Sequence, residues 1–68
     1  MLTPQVYAVP GAVRIVLPYP ETVYIFSLDA LRIHVLLLRA GEHVEALPPG
    51  AYAVKIRKES YKIFIRNR

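Results

Sequence analysis

The stretch of sequence that decides the fold lies between Val6 and Leu38 and reads VYAVPGAVRIVLPYPETVYIFSLDALRIHVLLL. Runs rich in Val, Ile and Tyr, which favour the pleated backbone of a strand, alternate here with short turn signals. The turn signals are Pro10-Gly11, Pro18–Glu21 and Asp29-Ala30. Similar signals at residues 40–42, 48–50 and 58–60 continue the spacing. The sequence therefore predicts six or seven short strands.

The hydrophobic pattern also predicts a register for the first three hairpins. Residues paired across a hairpin share a face, and a slip of one residue inverts that face. Closing the chain at the three turns pairs Val6 with Ile15, Ile15 with Tyr24, and Tyr24 with Val35. One common apolar face results: Val6, Ala8, Val13, Ile15, Leu17, Tyr24, Phe26, Leu28, Leu31, Ile33, Val35 and Leu37. This agreement predicts an antiparallel meander with that face in the core.

The C-terminal segment predicts a further hairpin, apolar on one side and basic on the other. With residues 58–61 as its loop, Ile56 pairs with Ile63 and Val54 with Ile65. Packing of its apolar side onto the meander would close a small all-β sandwich or barrel, a single β domain over residues 1–68. The alternative is an α+β fold with a helix at about residues 30–40, capped by Asp29. A short helix at 42–47 is a further alternative.

Length and composition limit how such a domain is stabilised. A chain of 68 residues has a marginal core, and this one is 54% hydrophobic and lacks cysteine. Disulfides, thiolate zinc sites and thiol catalysis are therefore excluded. The second face of the meander is also too apolar to stay exposed to water. This predicts a homo-oligomer unless the C-terminal hairpin covers that face. The predicted interface residues are Val16, Val23, Ile25, Leu36 and Leu38.

Few residues have the spacing that catalysis or metal binding requires. On a strand only His43 and Glu45 would point the same way, and two ligands are too few for a zinc site, so Glu42, His43 and Glu45 are interpreted as a solvated turn. His34 is interpreted as a packed surface imidazole, and no nucleophile elbow surrounds Ser27. The three glycines all lie in turns, so no phosphate-binding loop is formed. We expect a protein that is not an enzyme and uses no cofactor, metal or small-molecule substrate.

The net charge of +4 is concentrated at the end of the chain. Six cations and one anion lie between Lys55 and Arg68, whereas the preceding residues hold three cations and four anions. Cations on one hairpin face can bind phosphates, and an aromatic ring among them can stack on an unpaired base. The sequence thus predicts a sequence-nonspecific DNA- or RNA-binding module, with the homo-oligomeric interaction protein as the alternative. The predicted binding residues are Lys55, Arg57, Lys58, Lys62, Phe64, Arg66 and Arg68.

The expected location is the cytoplasm, without membrane association. No apolar run approaches the ~20 residues that a spanning helix needs, and the N-terminus lacks the pattern of a signal peptide. Asparagine and glutamine each occur once, and prolines are frequent. Both features are typical of thermophilic proteins, so we expect a source from a hot environment.

Overall fold

A computed structural model describes residues 3–29 and 31–66 of the chain, all of it strands and connections. The seven strands are β1 (Gln5–Val9), β2 (Ala12–Leu17), β3 (Glu21–Ser27), β4 (Ile33–Leu38), β5 (Gly41–Ala46), β6 (Gly50–Ile56) and β7 (Glu59–Ile65). They form two antiparallel sheets, of order β1-β2-β5 and β4-β3-β6-β7. The all-β class is confirmed, and the two sheets make a sandwich.

The smaller sheet is built on the first predicted hairpin. Val6 pairs with Ile15 and Ala8 with Val13, as the sequence predicts. The turn works because proline fixes its own φ and Gly11 takes a φ of 73°, which glycine adopts without strain. Apolar side chains of β2 alternate inward and form one wall of the core: Val13, Ile15 and Leu17. The predicted core face is therefore confirmed for β2.

The larger sheet is organised around β3, which pairs with β4 on one side and β6 on the other. Tyr24 lies opposite Val35 and Phe26 opposite Ile33, so the predicted register of this hairpin is confirmed along the paired strands. Its turn includes Ala30, which lies outside the described residues. The inward side chains are Val23, Ile25, Tyr52, Val54, Ile56, Ile63 and Ile65.

The prediction that β2 and β3 form a hairpin is wrong. Pro18-Tyr19-Pro20 carries the chain from one sheet to the other, and β2 pairs with β5 instead. Proline has no N–H to donate to a ladder, so the two prolines end the pairing of this segment. Because β3 enters the opposite sheet, the faces of β3 and β4 are the reverse of the predicted ones. Val23 and Ile25 are fully buried, whereas Tyr24 is exposed.

This reversal also overturns the predicted subunit interface. Val23 and Ile25 belong to the core of the chain itself, and Leu36 and Leu38 face inward and pack against that core. Val16 lies on the other sheet and is half-buried. The five residues therefore do not share a face. On β4, the meander register predicted Val35 and Leu37 in the core. The structure exposes both side chains to solvent.

The C-terminal hairpin has the predicted faces but a different register. Ile56 pairs with Glu59 and Val54 with Tyr61, so the loop is the two-residue turn Arg57-Lys58 and not residues 58–61. Because the shift is an even number of residues, each side chain stays on its predicted side. Val54, Ile56, Ile63 and Ile65 are buried, and Lys55, Lys62 and Phe64 are exposed.

The helical alternatives are wrong. Residues 33–38 form β4 and residues 41–46 form β5, and the described residues contain no helix. Within that part of the chain, accordingly, no helix is long and apolar enough to cross a membrane.

Candidate nucleic-acid interface

The side of the four-stranded sheet that faces away from the core, called here the outer face, carries aromatic, apolar and basic side chains. Its two halves differ in character: β4 and β3 are apolar, and β6 and β7 are basic. Pairing across the strands aligns the side chains in rows. The rows are Val35–Tyr24–Lys55–Ser60 and Ile33–Phe26–Ala53–Lys62, with Ala51–Phe64 beyond them.

Two aromatic rings lie at the centre of the outer face. Tyr24 and Phe26 are two residues apart on β3, so they share a face, and their ring centroids are 6.5 Å apart with planes inclined by 27°. Tyr24 is 39% exposed, and Phe26 is half-buried. The rings therefore present an aromatic surface on a central strand of the sheet, where the backbone is fixed on both sides.

The basic half of the face begins on the next strand. Lys55 lies directly opposite Tyr24, and Lys62 lies opposite Ala53. Both lysines are exposed to solvent. Arg57, in the turn, donates from Nε to Oε2 of Glu21 at 2.8 Å, so its charge is partly neutralised. Lys55 and Lys62 are therefore the cations best placed to bind a ligand that lies on the rings.

A shallow depression joins the two halves. A groove of about 440 Å³ is lined by Tyr24, Phe26, Lys55, Arg57, Glu21 and Thr22. Beyond it, the small side chains Ala53 and Ala51 line β6 between Phe26 on one side and Lys62 and Phe64 on the other. This leaves a low path along β6, with Phe26 on its β3 side and Lys62 and Phe64 on its β7 side.

A third ring lies at the far edge of the face. Phe64 on β7 is 74% exposed, and its backbone pairs with Ala51. From the strand spacing and the rise per residue, Phe26 and Phe64 are about 12 Å apart. An aromatic ring so exposed gains little from packing within the chain, which makes it available to stack on a ligand.

The structure brings together most of the residues that the sequence assigned to nucleic-acid binding. Lys55, Lys62 and Phe64 share the outer face, Arg57 and Lys58 form the turn at its end, and exposed Arg66 follows β7. Arg68 lies outside the described residues. Sequence reasoning missed Tyr24 and Phe26, because it placed them in the core. The signal that could have found them is the Pro18-Tyr19-Pro20 segment, which suits a change of sheet as well as a turn.

Other polar side chains have partners within the chain, although Nε of Arg14 is buried without a hydrogen-bond partner among the described residues. Arg14 forms an ion pair with Glu42, and its guanidinium lies 5.7 Å from the centroid of the Tyr7 ring. His43 is bonded through Nε2 to the backbone oxygen of Arg39 at 2.7 Å. The described residues contain no group of three His, Asp or Glu side chains that could hold a metal ion. The outer face of the larger sheet is thus the strongest candidate for a binding site.

Comparison of the chain with protein-family models, with the curated proteins and with the solved structures finds no match.

Proposed function

We propose that the protein is a sequence-nonspecific, non-enzymatic module that binds single-stranded nucleic acid on the outer face of its larger sheet. The observation that carries this proposal is the arrangement of rings and cations on one open face. Tyr24 and Phe26 lie at its centre on β3, Lys55 lies beside them on β6, and Lys62 and Phe64 lie at its edge on β7. The two central rings add stacking groups to the cations that the sequence predicts.

The two kinds of side chain would bind different parts of the same ligand. Lysine side chains neutralise phosphates and release counterions, which gives affinity that depends on salt. Exposed rings stack on bases, and any base is accepted because each has a π-face. Rings on β3 and β7 with lysines on β6 and β7 suit a strand whose bases face the sheet and whose phosphates lie beside Lys55 and Lys62.

An unpaired strand fits this face better than a duplex does. In a duplex the faces of the bases are stacked on one another, so Phe64 and the rings of β3 would have nothing to stack on. Reading a major groove needs a projecting helix or a two-stranded ribbon. Here the rings lie on a broad sheet, and its apolar half would stay exposed to water if a duplex were bound.

Reversing the charge of the two central lysines is the first test. Lys55→Glu combined with Lys62→Glu should weaken binding of a fluorescent oligothymidine by about 25-fold or more at 0.1 M salt. The reason is that each lost phosphate contact lowers the salt slope by about 0.7 for single strands. Titrations by fluorescence anisotropy at several salt concentrations measure both quantities.

The matched control for this pair is Arg32→Glu with Arg39→Glu. It makes the same change in net charge, from +4 to 0. These arginines flank β4, two strands away from β6. The control should keep most of the affinity. Equal losses in both double variants, or equal binding of heparin and oligothymidine, would show that the positive charge is incidental and contradict the proposal.

Removal of the exposed ring is the second test. Phe64→Ala should weaken single-strand binding by about 1–3 kcal/mol, because a stacking partner is lost, and should affect duplex binding much less. Tyr19→Ala is the control, since Tyr19 is an exposed aromatic residue outside the outer face. If Phe64→Ala binds single strands as wild type does, stacking at β7 is ruled out.

A further inference from the structure

The four edge strands of the two sheets differ in how they are protected. An unprotected edge pairs with other chains, and natural proteins block this with charges, prolines or a covering segment. Strand β5 carries Glu42 and Glu45, and β7 carries Lys62. Strand β1 lies beside β7, where the Gly11 N–H donates to the backbone oxygen of Arg66 at 3.0 Å.

Within residues 3–29 and 31–66, strand β4 has none of these three kinds of protection. Its sequence, IHVLLL, contains no Asp, Glu, Lys or Arg and no proline. It is the last strand of its sheet, and no strand in the described part of the chain pairs with the edge that faces away from β3. It also exposes apolar side chains on the outer face: Ile33 is 59% exposed, Val35 55% and Leu37 82%.

The hydrogen bonding of β3 with β4 identifies the free backbone groups of this edge. The Ser27 N–H donates to the backbone oxygen of Arg32 at 2.8 Å, so Arg32 points its backbone groups toward β3. In an antiparallel strand these directions alternate from residue to residue. Ile33, Val35 and Leu37 therefore direct their N–H and C=O groups away from β3, toward the open edge.

We propose that a second copy of this chain pairs with β4 in antiparallel orientation, around a two-fold axis at Val35. Val35 then lies opposite Val35 of the second copy, and Ile33 lies opposite its Leu37. A hydrogen-bonded pair exchanges two bonds. Three such pairs give six bonds, which use the three N–H and three C=O groups that each copy offers. The result is a continuous eight-stranded sheet.

The side chains favour a second copy as the partner, and the cations of β7 do not oppose it. In this register outer-face residues meet outer-face residues, so Ile33, Val35 and Leu37 pack against one another across the axis. The half-buried Leu36 and Leu38 gain neighbours on the inner side. The β7 strands, with their cations, stand seven strand spacings apart, about 34 Å, which exceeds the Debye length of ~8 Å at physiological salt. The two β7 strands therefore do not repel each other. The cations nearest the axis are Arg32 and Arg39, which flank β4 and lie outside the hydrogen-bonded pairs from Ile33 to Leu37.

The pairing does not depend on the proposed function, but the two are compatible. Both outer faces lie on the same side of the joined sheet, because paired residues across β4 point the same way. Failure of nucleic-acid binding would leave the pairing intact, since solution mass and cross-linking detect the pairing and not the binding.

Single cysteines test the register directly, because the chain has none of its own. At a hydrogen-bonded pair the Cα atoms are about 5.5 Å apart, which suits a disulfide. Val35→Cys should therefore form a cross-linked dimer on mild oxidation. Leu37→Cys should not, because the two residues 37 of the paired copies lie about 14 Å apart. Mixing Ile33→Cys with Leu37→Cys should give a mixed disulfide.

Solution mass tests the role of the backbone edge. Wild type should have twice the chain mass of 7.7 kDa. Val35→Pro should be monomeric, because it removes the central edge N–H, which does not serve the ladder with β3. Val35→Thr keeps the N–H and should remain dimeric. Analytical ultracentrifugation measures the mass, and circular dichroism checks the fold.

Several results would overturn the pairing. These are a monomeric wild type at high concentration, a dimeric Val35→Pro, or loss of the dimer in both Val35 variants. If Val35→Pro fails to fold, the cysteine variants still decide. Equal cross-linking of Val35→Cys and Leu37→Cys would exclude the register.

Discussion

Ile25→Ala is expected to destabilise the fold by about 2–5 kcal/mol. Ile25 has no exposed surface and lies in the core between the two sheets. Truncating it removes apolar contacts and leaves a cavity that the stiff β-branched neighbours Val23 and Val54 cannot fill. A domain of this length has a free energy of unfolding of about 3–10 kcal/mol in total. The variant should therefore be largely unfolded or close to it, as urea titration followed by circular dichroism would show.

The adjacent residue on the same strand is the matched control. Tyr24 points to the outer face, so Tyr24→Ala should change the free energy of unfolding by less than about 1 kcal/mol. The comparison is sharp because the meander register places Tyr24 in the core and Ile25 outside it. If Tyr24→Ala is the more damaging of the two, β3 does not belong to the sheet in which the structure has it.

Gly50→Ala is expected to have the second largest effect. Gly50 has a φ of +151°, which an L-residue rarely adopts. A β-carbon there would lie 2.9 Å from Oδ2 of Asp29. That same oxygen accepts a hydrogen bond from the Ala51 N–H at 3.3 Å, so relief of the clash would weaken the bond. Backbone strain of about 1–3 kcal/mol and the loss of about 1 kcal/mol of hydrogen bonding should add together.

Gly41→Ala separates the two contributions. Gly41 also has a positive φ, +122°, but a β-carbon there meets nothing within 4 Å. It should therefore show the backbone strain alone and unfold at a higher temperature than Gly50→Ala, by about 4–8 °C per kcal/mol of difference. Equal melting temperatures would mean that the Asp29 contact has no energetic weight.

The sequence could predict the strands and the local hairpins because these depend on neighbouring residues. Pro10-Gly11 determines its own turn, and the pairing of Tyr24 with Val35 follows from an alternation that continues across residues 28–31. The faces of the C-terminal hairpin were also predictable, since Val54 and Ile56 alternate with Lys55 and Arg57. In each case one face is clearly more apolar than the other or the turn has a single solution.

The assignment of β3 to a sheet was not predictable in this way. Val23 and Ile25 are apolar, and Tyr24 and Phe26 are apolar too, so alternation cannot choose the inward face. The choice is made by β6, whose Val54 pairs with Ile25 from far along the chain. Such a pairing depends on tertiary packing, which local pattern does not contain. The candidate site was therefore only partly predictable: its cations were found, and its central rings were not.

The turn of the C-terminal hairpin shows a second limit. Two-residue hairpin turns favour Asn-Gly or similar pairs, because their first residue takes a positive φ. Here Arg57 takes a φ of 56°, which its side chain does not favour. A turn search based on residue preference therefore passes over Arg57-Lys58. The ladder from Gly50 to Ile56, with its buried apolar side chains, holds the turn in place.

The order of the strands also has a consequence for the rate of folding. Three pairs of strands are neighbours in sequence and can form hairpins locally: β1 with β2, β3 with β4, and β6 with β7. The pairings of β2 with β5 and of β3 with β6 join strands that are far apart in sequence. Closing these long loops costs conformational entropy of the chain before the compensating contacts are made. Chains dominated by such distant pairings fold on a time scale of about milliseconds to seconds. The loop from β2 to β5 contains β3, and the loop from β3 to β6 contains β5. Each long loop therefore carries a strand of the other sheet, so we expect the two sheets to form together in one cooperative step.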